Sequence, residues 1–364
     1  MFDVVKRSMI FLEHVEGDRR MIRFECDYAE GAHPLIMQRL IDTNEDQTPG
    51  YGVDSYCEKA REYIKERCEH DDIDVHFLVG GTQTNLTVIS SMLRPYQGVI
   101  AADSGHISGH ETGAIEATGH KVLTIPSTDG KISAKQISKV CIDHREDTSR
   151  EHFVQPAMVY ISFPTETGTI YSKEELDAIR EVCEEHGLSL FLDGARLGYG
   201  LTSPQNDVTL KDITDYCDVF YIGGTKVGAL FGEAVVIKNN YLKKDFRYSI
   251  KQKGGLLAKG RLLGIQFGTL FEENLYFDIS KHAVDLALKI RKAFEDKGFE
   301  FMYDSTTNQQ FPIIPDEQLE VLAKSYSFTF WCKVDENKSA VRFCTSWATK
   351  KENVEKLIQD IKAL

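Results

Sequence analysis

Two apolar runs, each stopping abruptly on a side chain that can do chemistry, constrain this chain more than anything else in it. Leu188 to Leu192 runs into Asp193-Gly194-Ala195-Arg196, and Val219 to Ile222 runs into Gly223-Gly224-Thr225-Lys226. A short unbroken apolar run bounded by glycine reads as a strand buried on both faces, as in a parallel sheet covered by helices. Open α/β sheets place their ligands at the carboxyl ends of such strands. Two consecutive strands therefore bring an acid and an amine to one sheet edge. Taken singly, Asp193 would cap the following turn and Lys226 would be a solvated surface lysine.

Taken jointly, the pair suits pyridoxal phosphate, which needs a lysine for its aldehyde and a carboxylate facing its ring nitrogen. The carboxylate keeps that nitrogen protonated, because opposite charges favour each other's ionised forms. A second feature complements the same cofactor. Val75 to Val79 reads as a strand emptying into Gly80-Gly81-Thr82-Gln83-Thr84-Asn85, with a helical run from Leu86 to Leu93 behind it. Strand, glycine-rich turn and helix aim free backbone N–H groups and a helix dipole at an anion. The turn has neither a Walker lysine nor a dinucleotide G-x-G-x-x-G, so it suits one phosphate and no nucleotide.

The 364 residues exceed one ordinary core, and a large domain with a smaller one is expected. With 43 basic and 56 acidic side chains the net charge is −13, which disfavours nucleic acid as a partner. No apolar stretch approaches the length a membrane helix needs, so no membrane association is expected. The eight cysteines, at 26, 57, 68, 141, 183, 217, 332 and 344, form no Cys-x-x-Cys pair. They read as buried thiols of a reducing, cytoplasmic compartment, with no metal site. Residues 1–21 form a charged, interrupted leader expected to be loosely held, with Met21 a plausible start of the compact protein.

Further strands read at Val99–Ala101, Val122–Ile125, Met158–Ser162 and Ala234–Ile237. Helices read at Pro34–Thr43, from the turn before Ser55 to Arg67, and at Ser133–Val140 and Lys173–Glu185, the last stopped by Gly187. Alternating strands and helices predict a mainly parallel sheet with right-handed crossovers over residues 22–245. Residues 246–364 read as a small α+β domain, with a long helix at Ile279–Phe294, paired strands at Phe328–Val334 and Val341–Thr345, and a terminal helix at Lys351–Ile361. His106 leaves the same sheet edge and could lie flat on an aromatic ring. It could equally be a structural histidine bonded to backbone.

The ordered set Gly81-Thr82, His106-Ile107 with Glu111, Asp193-Gly194-Ala195-Arg196, Lys226 and Arg342 resembles the low-specificity L-threonine aldolase branch of the β-eliminating lyase superfamily. That resemblance implies the aspartate aminotransferase-like fold type I of pyridoxal-phosphate enzymes. It implies that Lys226 links to the cofactor, Asp193 faces the pyridine nitrogen, His106 stacks on the ring, and Gly81 and Thr82 hold the phosphate. Arg196 and Arg342 would bind the substrate carboxylate, for which a guanidinium's two parallel donors are suited. The implied reaction is retro-aldol cleavage of L-threonine or L-allo-threonine to glycine and an aldehyde, in a homodimer or homotetramer. Two readings stand beside it: β-elimination or cleavage of a bulkier hydroxy amino acid, and a non-catalytic binding protein on the same fold. The sequence departs from the family's pattern at Cys26, where an opening serine is usual, and at Glu166, where a histidine is frequent. The acid or base acting on the β-hydroxyl is therefore left open.

Overall fold

In the computed structural model, residues 21–364 are described; the leader expected over residues 1–21 lies outside them apart from Met21. In chain order the first eight strands are β1 (Ile22–Arg23), β2 (Asp74–Leu78), β3 (Gln97–Ala102), β4 (Lys121–Ile125), β5 (Gln155–Ser162), β6 (Ser189–Asp193), β7 (Val219–Gly223) and β8 (Glu233–Ile237). Seven of them form one sheet in the order β2-β8-β7-β6-β5-β3-β4. From β7 to β4 every pairing is parallel, whereas β8 runs antiparallel to both β2 and β7. The carboxyl ends of β2, β3, β5, β6 and β7 consequently share one edge, and the amino end of β8 lies among them.

Both faces of this sheet are buried, as the unbroken apolar runs require. One face carries Val99, Ala101, Met158, Tyr160, Phe191, Val219 and Tyr221, packed with Val88, Ile89, Ile107 and Ile250. The other carries Ile100, Val159, Ile161, Leu190, Leu192, Phe220 and Ile222, packed with Leu176, Ile179, Cys183 and Phe267. Alternate residues of each strand point to opposite faces, so both lists step by two along the chain. The helix Lys173–His186 starts with a Ser172–Glu175 capping box and ends at Gly187 in the left-handed region, as its sequence predicts.

Two differences from the sequence reading matter for the site. The helix expected to begin at Leu86 begins at Gly81, so Gly81 and Thr82 are its first turn and not part of a preceding loop. A helix at Arg261–Phe271 was not foreseen, because every residue from Leu263 to Phe271 is buried and no polar stripe marks a helical period. It packs against the helix Ser55–Cys68, and Gly264 permits this: a Cβ there would lie 2.5 Å from the Cys57 nitrogen.

Toward the carboxyl end come β9 (Gln309–Gln310), β10 (Ile313–Pro315), β11 (Tyr326–Ser327), β12 (Thr329–Lys333) and β13 (Lys338–Cys344). β13 pairs antiparallel with β9, β10 and β12. β1, from the opposite end of the chain, pairs in parallel with β11. Phe24 completes the core of this part with Ile290, Phe294, Val341, Phe343 and Leu357.

Candidate active site

Asp193 is the last residue of β6 and is 4% exposed. The Tyr221 hydroxyl and the Ala195 N–H donate to its Oδ1 at 2.5 and 2.9 Å. The Tyr160 hydroxyl and, at 3.3 Å, Asn85 Nδ2 donate to its Oδ2. The bond from Ala195 N–H is the turn-capping contact anticipated for this residue, made here by a buried carboxylate. Burial first, then the charge of Asp193, pushes both tyrosine hydroxyls well above their ordinary pKa, so they stay neutral donors. Tyr160 and Tyr221 come from the two neighbouring strands, and their side chains face the same side of the sheet.

Gly194 is glycine for a steric reason. A Cβ there would fall 1.9 Å from the Tyr221 carbonyl oxygen. Its absence lets the turn after β6 press against β7, where the Gly223 N–H donates to Gly194 O at 2.9 Å. Lys226 follows three residues on, half-buried, in a turn held by bonds from Gly224 and Thr225 N–H to Gly232 O at 2.9 and 3.1 Å. The Tyr199 hydroxyl donates to the Lys226 carbonyl at 2.6 Å. Burial, and after it the Arg196 guanidinium, holds the lysine amine below its ordinary pKa against the opposing pull of Asp27, Asp193 and Glu233.

The helix Gly81–Met92 has an extended Gly80 as its N-cap, with no side chain bonded over its first turn. A Cβ added to Gly80 would meet nothing within 4 Å, so the space before this helix is open. His106 begins a short helical turn after β3, and its Nδ1 lies 2.8 Å from Glu111 Oε1. The Glu111 side chain is fully buried, and the same oxygen accepts Asn85 Nδ2 at 2.7 Å. Asn85 therefore bridges the two carboxylates of Asp193 and Glu111. Glu166 accepts the His106 N–H at 2.9 Å and the Ser162 hydroxyl at 2.7 Å, both on Oε1. Burial, then the charge of Asp193, raises its pKa.

The two arginines are held in different ways. Arg196 makes a two-point ion pair with Asp27, Nε to Oδ2 at 2.6 Å and Nη2 to Oδ1 at 3.0 Å. Asp27 is completely buried and also accepts Asn308 Nδ2 at 2.9 Å. Burial alone would raise its pKa, but the Arg196 and Lys226 charges more than offset that and hold the carboxyl far below the usual range. Among the described residues Arg342, on β13, bonds only to neutral acceptors: Gln309 Oε1 at 3.0 Å, the Glu25 carbonyl at 2.9 Å and Thr329 Oγ1 at 3.4 Å. Its Nε is buried without an acceptor. His110 lies in the same field, its pKa lowered by burial, then by His106 and Arg342. Its ring centroid is 5.7 Å from that of His106.

This donor set fits pyridoxal phosphate. An amine with lowered proton affinity, a buried carboxylate fixed by two tyrosines, and an uncapped helix start behind a glycine supply the groups its aldehyde, ring nitrogen and phosphate require. The family model described as Beta-eliminating lyase matches residues 33–316. The chain belongs to the beta-eliminating lyase family. Within that family, it is 31% identical over 348 residues to a low specificity L-threonine aldolase of Pseudomonas sp. (strain NCIMB 10558), covering 94% of this chain and 97% of the relative. Among solved structures, a Leishmania major threonine aldolase superposes with a TM-score of 0.92 at 46% identity, covering 94% of this chain and 99% of that one. An aspartate aminotransferase mutant of Thermus thermophilus superposes with a TM-score of 0.71 at 13% identity, covering 99% of this chain and 96% of that one, a likeness of fold alone. The architecture of this beta-eliminating lyase family member is fold type I, as the resemblance implied.

Sequence reasoning named Lys226, Asp193, His106, Gly81, Thr82, Arg196 and Arg342 and missed the groups that hold them. Asp27, Asn85, Tyr160, Tyr221 and Gln309 are remote in sequence from the residues they touch, and Glu233, though near Thr225 in sequence, reaches it only through the antiparallel return of β8. The only local signal was a tyrosine inside each apolar run flanking β6, where a buried hydroxyl needs an acceptor.

Proposed function

We propose that the protein is a pyridoxal-phosphate-dependent aldolase that cleaves a β-hydroxy-α-amino acid such as L-threonine or L-allo-threonine to glycine and an aldehyde. The observation that carries the reading is the delivery of Asp193 and Lys226 to one edge by adjacent strands whose turns touch through Gly194. Full-length similarity to threonine aldolases supports the reaction class.

Bound at this edge, the cofactor supplies an electron sink for the pair released when the Cα–Cβ bond breaks. Lys226 holds its aldehyde, and the lowered proton affinity of the amine leaves more of it in the nucleophilic neutral form. Asp193, locked by Tyr160 and Tyr221, faces the ring nitrogen and keeps a proton there. His106 covers the ring, oriented through Nδ1 by Glu111. Gly81 and Thr82 receive the phosphate on first-turn N–H groups. Arg342, whose charge no carboxylate pairs among the described residues, binds the substrate carboxylate, and Arg196 assists with what its pairing to Asp27 leaves free. Gripping the carboxylate would fix how the substrate presents its Cα bonds to the cofactor, and this would be the protein's control over the outcome.

The assembly is a homodimer or homotetramer. Leu35, Met37, Ile41, Tyr51 and Val53, all on the first helix and the turn after it, are exposed apolar side chains that a second copy would cover. The compartment is the cytoplasm, in keeping with eight cysteines that are all free thiols. Among the described residues no helix is long and apolar enough to cross a membrane.

The test is incubation of the holoprotein with L-threonine, L-allo-threonine, phenylserine, serine and cysteine, with glycine, pyruvate and aldehydes assayed. Glycine and acetaldehyde in equal amounts from threonine are expected. Pyruvate without glycine would replace the aldolase by a β-eliminating enzyme. No absorbance change on adding pyridoxal phosphate to the apoprotein would leave only a binding protein.

A further inference from the structure

Glu233 opens β8 directly opposite Gly223, the last residue of β7. It is 3% exposed, and the reaction described above makes no use of it. Its carboxyl group takes two donors from the lysine turn: the Gly224 N–H reaches Oε2 at 3.2 Å, and the Thr225 hydroxyl reaches Oε1 at 2.9 Å. Thr225 Oγ1 in turn accepts the Gly232 N–H at 3.0 Å, tying the turn to the residue before Glu233. The next residue after Thr225 is Lys226.

A buried carboxyl needs donors or a cation to be tolerated. The cation whose charge acts on Glu233 is Lys226. The other titratable groups in its field are Asp193 from β6, Tyr221 from β7, and Tyr276 from the helix Leu275–Asp296. Lys226 in turn feels the Arg196 cation and three acids, Asp27, Asp193 and Glu233. Asp193 is committed to its four hydrogen-bond donors, whereas Glu233 is committed to the backbone and hydroxyl that carry the amine.

We infer that Glu233 is a positioning residue for Lys226, one that fixes the Gly224–Thr225 turn and ties the protonation of the amine to its own charge. The inference rests on Lys226 being the amine that receives the cofactor. Burial pushes the Glu233 carboxyl up to about 8, with the Thr225 hydrogen bond and the Lys226 charge pulling the other way. Below that pH the group is neutral and does nothing to help Lys226 keep its proton. Above it, the carboxylate strengthens the amine's hold on the proton, so the two titrate as a pair.

Competitive acylation of the apoprotein between about pH 6 and about pH 10, with the Lys226 peptide quantified by mass spectrometry, tests this directly. The wild-type profile should be broader than a one-proton curve. Glu233→Gln should narrow it to one proton and make Lys226 react about threefold faster near pH 9, with no difference near pH 6. Thr225→Val removes a donor but keeps the acid, and should move the broad region to higher pH. Circular dichroism establishes that each variant is folded; if Glu233→Gln is not, the Thr225→Val profile decides. Superimposable Lys226 profiles in the wild type and the folded variants would overturn the inference. Borohydride reduction of the holoprotein and peptide mapping tests the underlying reading separately. A cofactor found on another lysine would overturn that reading, while the acylation profiles still report on the Glu233–Lys226 pair.

Discussion

Arg196 and Asp27 meet through two parallel hydrogen bonds, in a place where the carboxylate is wholly buried and the guanidinium nearly so. Arg342, on β13, has no acid partner among the described residues. The two arginines that look interchangeable in the sequence therefore differ in available charge.

Replacing Arg342 by alanine should lower kcat/KM for threonine by about 100-fold, the usual consequence of removing one member of a charged, hydrogen-bonded pair. Arg342→Lys should recover only part, since a point charge cannot make two parallel bonds. Steady-state kinetics on the folded variants decide this. An Arg342→Ala enzyme with unchanged kcat/KM would move the carboxylate site elsewhere.

Breaking the buried pair by Asp27→Ala should destabilise the fold by about 3–5 kcal/mol, because Arg196 would be left buried and uncompensated. The pair also gives a sign for acid sensitivity. The folded-state pKa of Asp27 is depressed, so its contribution is fully present above the unfolded value near 4 and is lost as pH falls through the folded one. Denaturant midpoints between about pH 3 and about pH 6 should therefore fall more steeply toward acid in the wild type than in Asp27→Asn.

Gly194→Ala should be far worse than Gly80→Ala. The first would place a Cβ 1.9 Å from the Tyr221 carbonyl, prising β6 from β7, while the second meets nothing within 4 Å. A loss of about 3 kcal/mol or more is expected for Gly194→Ala, with reduced pyridoxal phosphate uptake per folded chain. Gly80→Ala should fold normally. Thermal unfolding and cofactor absorbance measure both.

Glu111→Ala should lower kcat by about tenfold or more, because His106 loses the partner at Nδ1 and Asn85 loses one of its two acceptors. Glu111→Gln, which can still accept at one oxygen, should recover part of the rate. A purely structural residue would change the unfolding midpoint without altering the cofactor's absorbance spectrum, and that spectrum is the discriminating measurement.

The main sheet was legible because its strands are short, largely apolar runs bounded by turn residues, and all seven were found to within a few residues. The edge chemistry was legible because Asp193 and Lys226 stand at the ends of two such runs. The helix Arg261–Phe271 was not, since a helix buried all round has no polar face to mark its period. Asp27, Asn85 and Gln309 were not, because their roles come from contacts that sequence separation hides. Asp27 meets Arg196 across 169 positions. Glu233 illustrates the same blindness at short range. Nothing in its neighbourhood predicts that β8 returns antiparallel between β2 and β7 and brings it to the Gly224–Thr225 turn.

β1 lies beside β11, and the Glu25 carbonyl props Arg342. The seven-stranded sheet needs nothing beyond Ile237 to be complete, but the shelf that holds Arg342 joins the first described residues to some of the last. A ribosome would thus release the edge that carries Asp193 and Lys226 well before the shelf around Arg342 could close. A chain cut short anywhere before Arg342 would keep Asp193, Arg196 and Lys226 but lose the guanidinium that no acid pairs among the described residues.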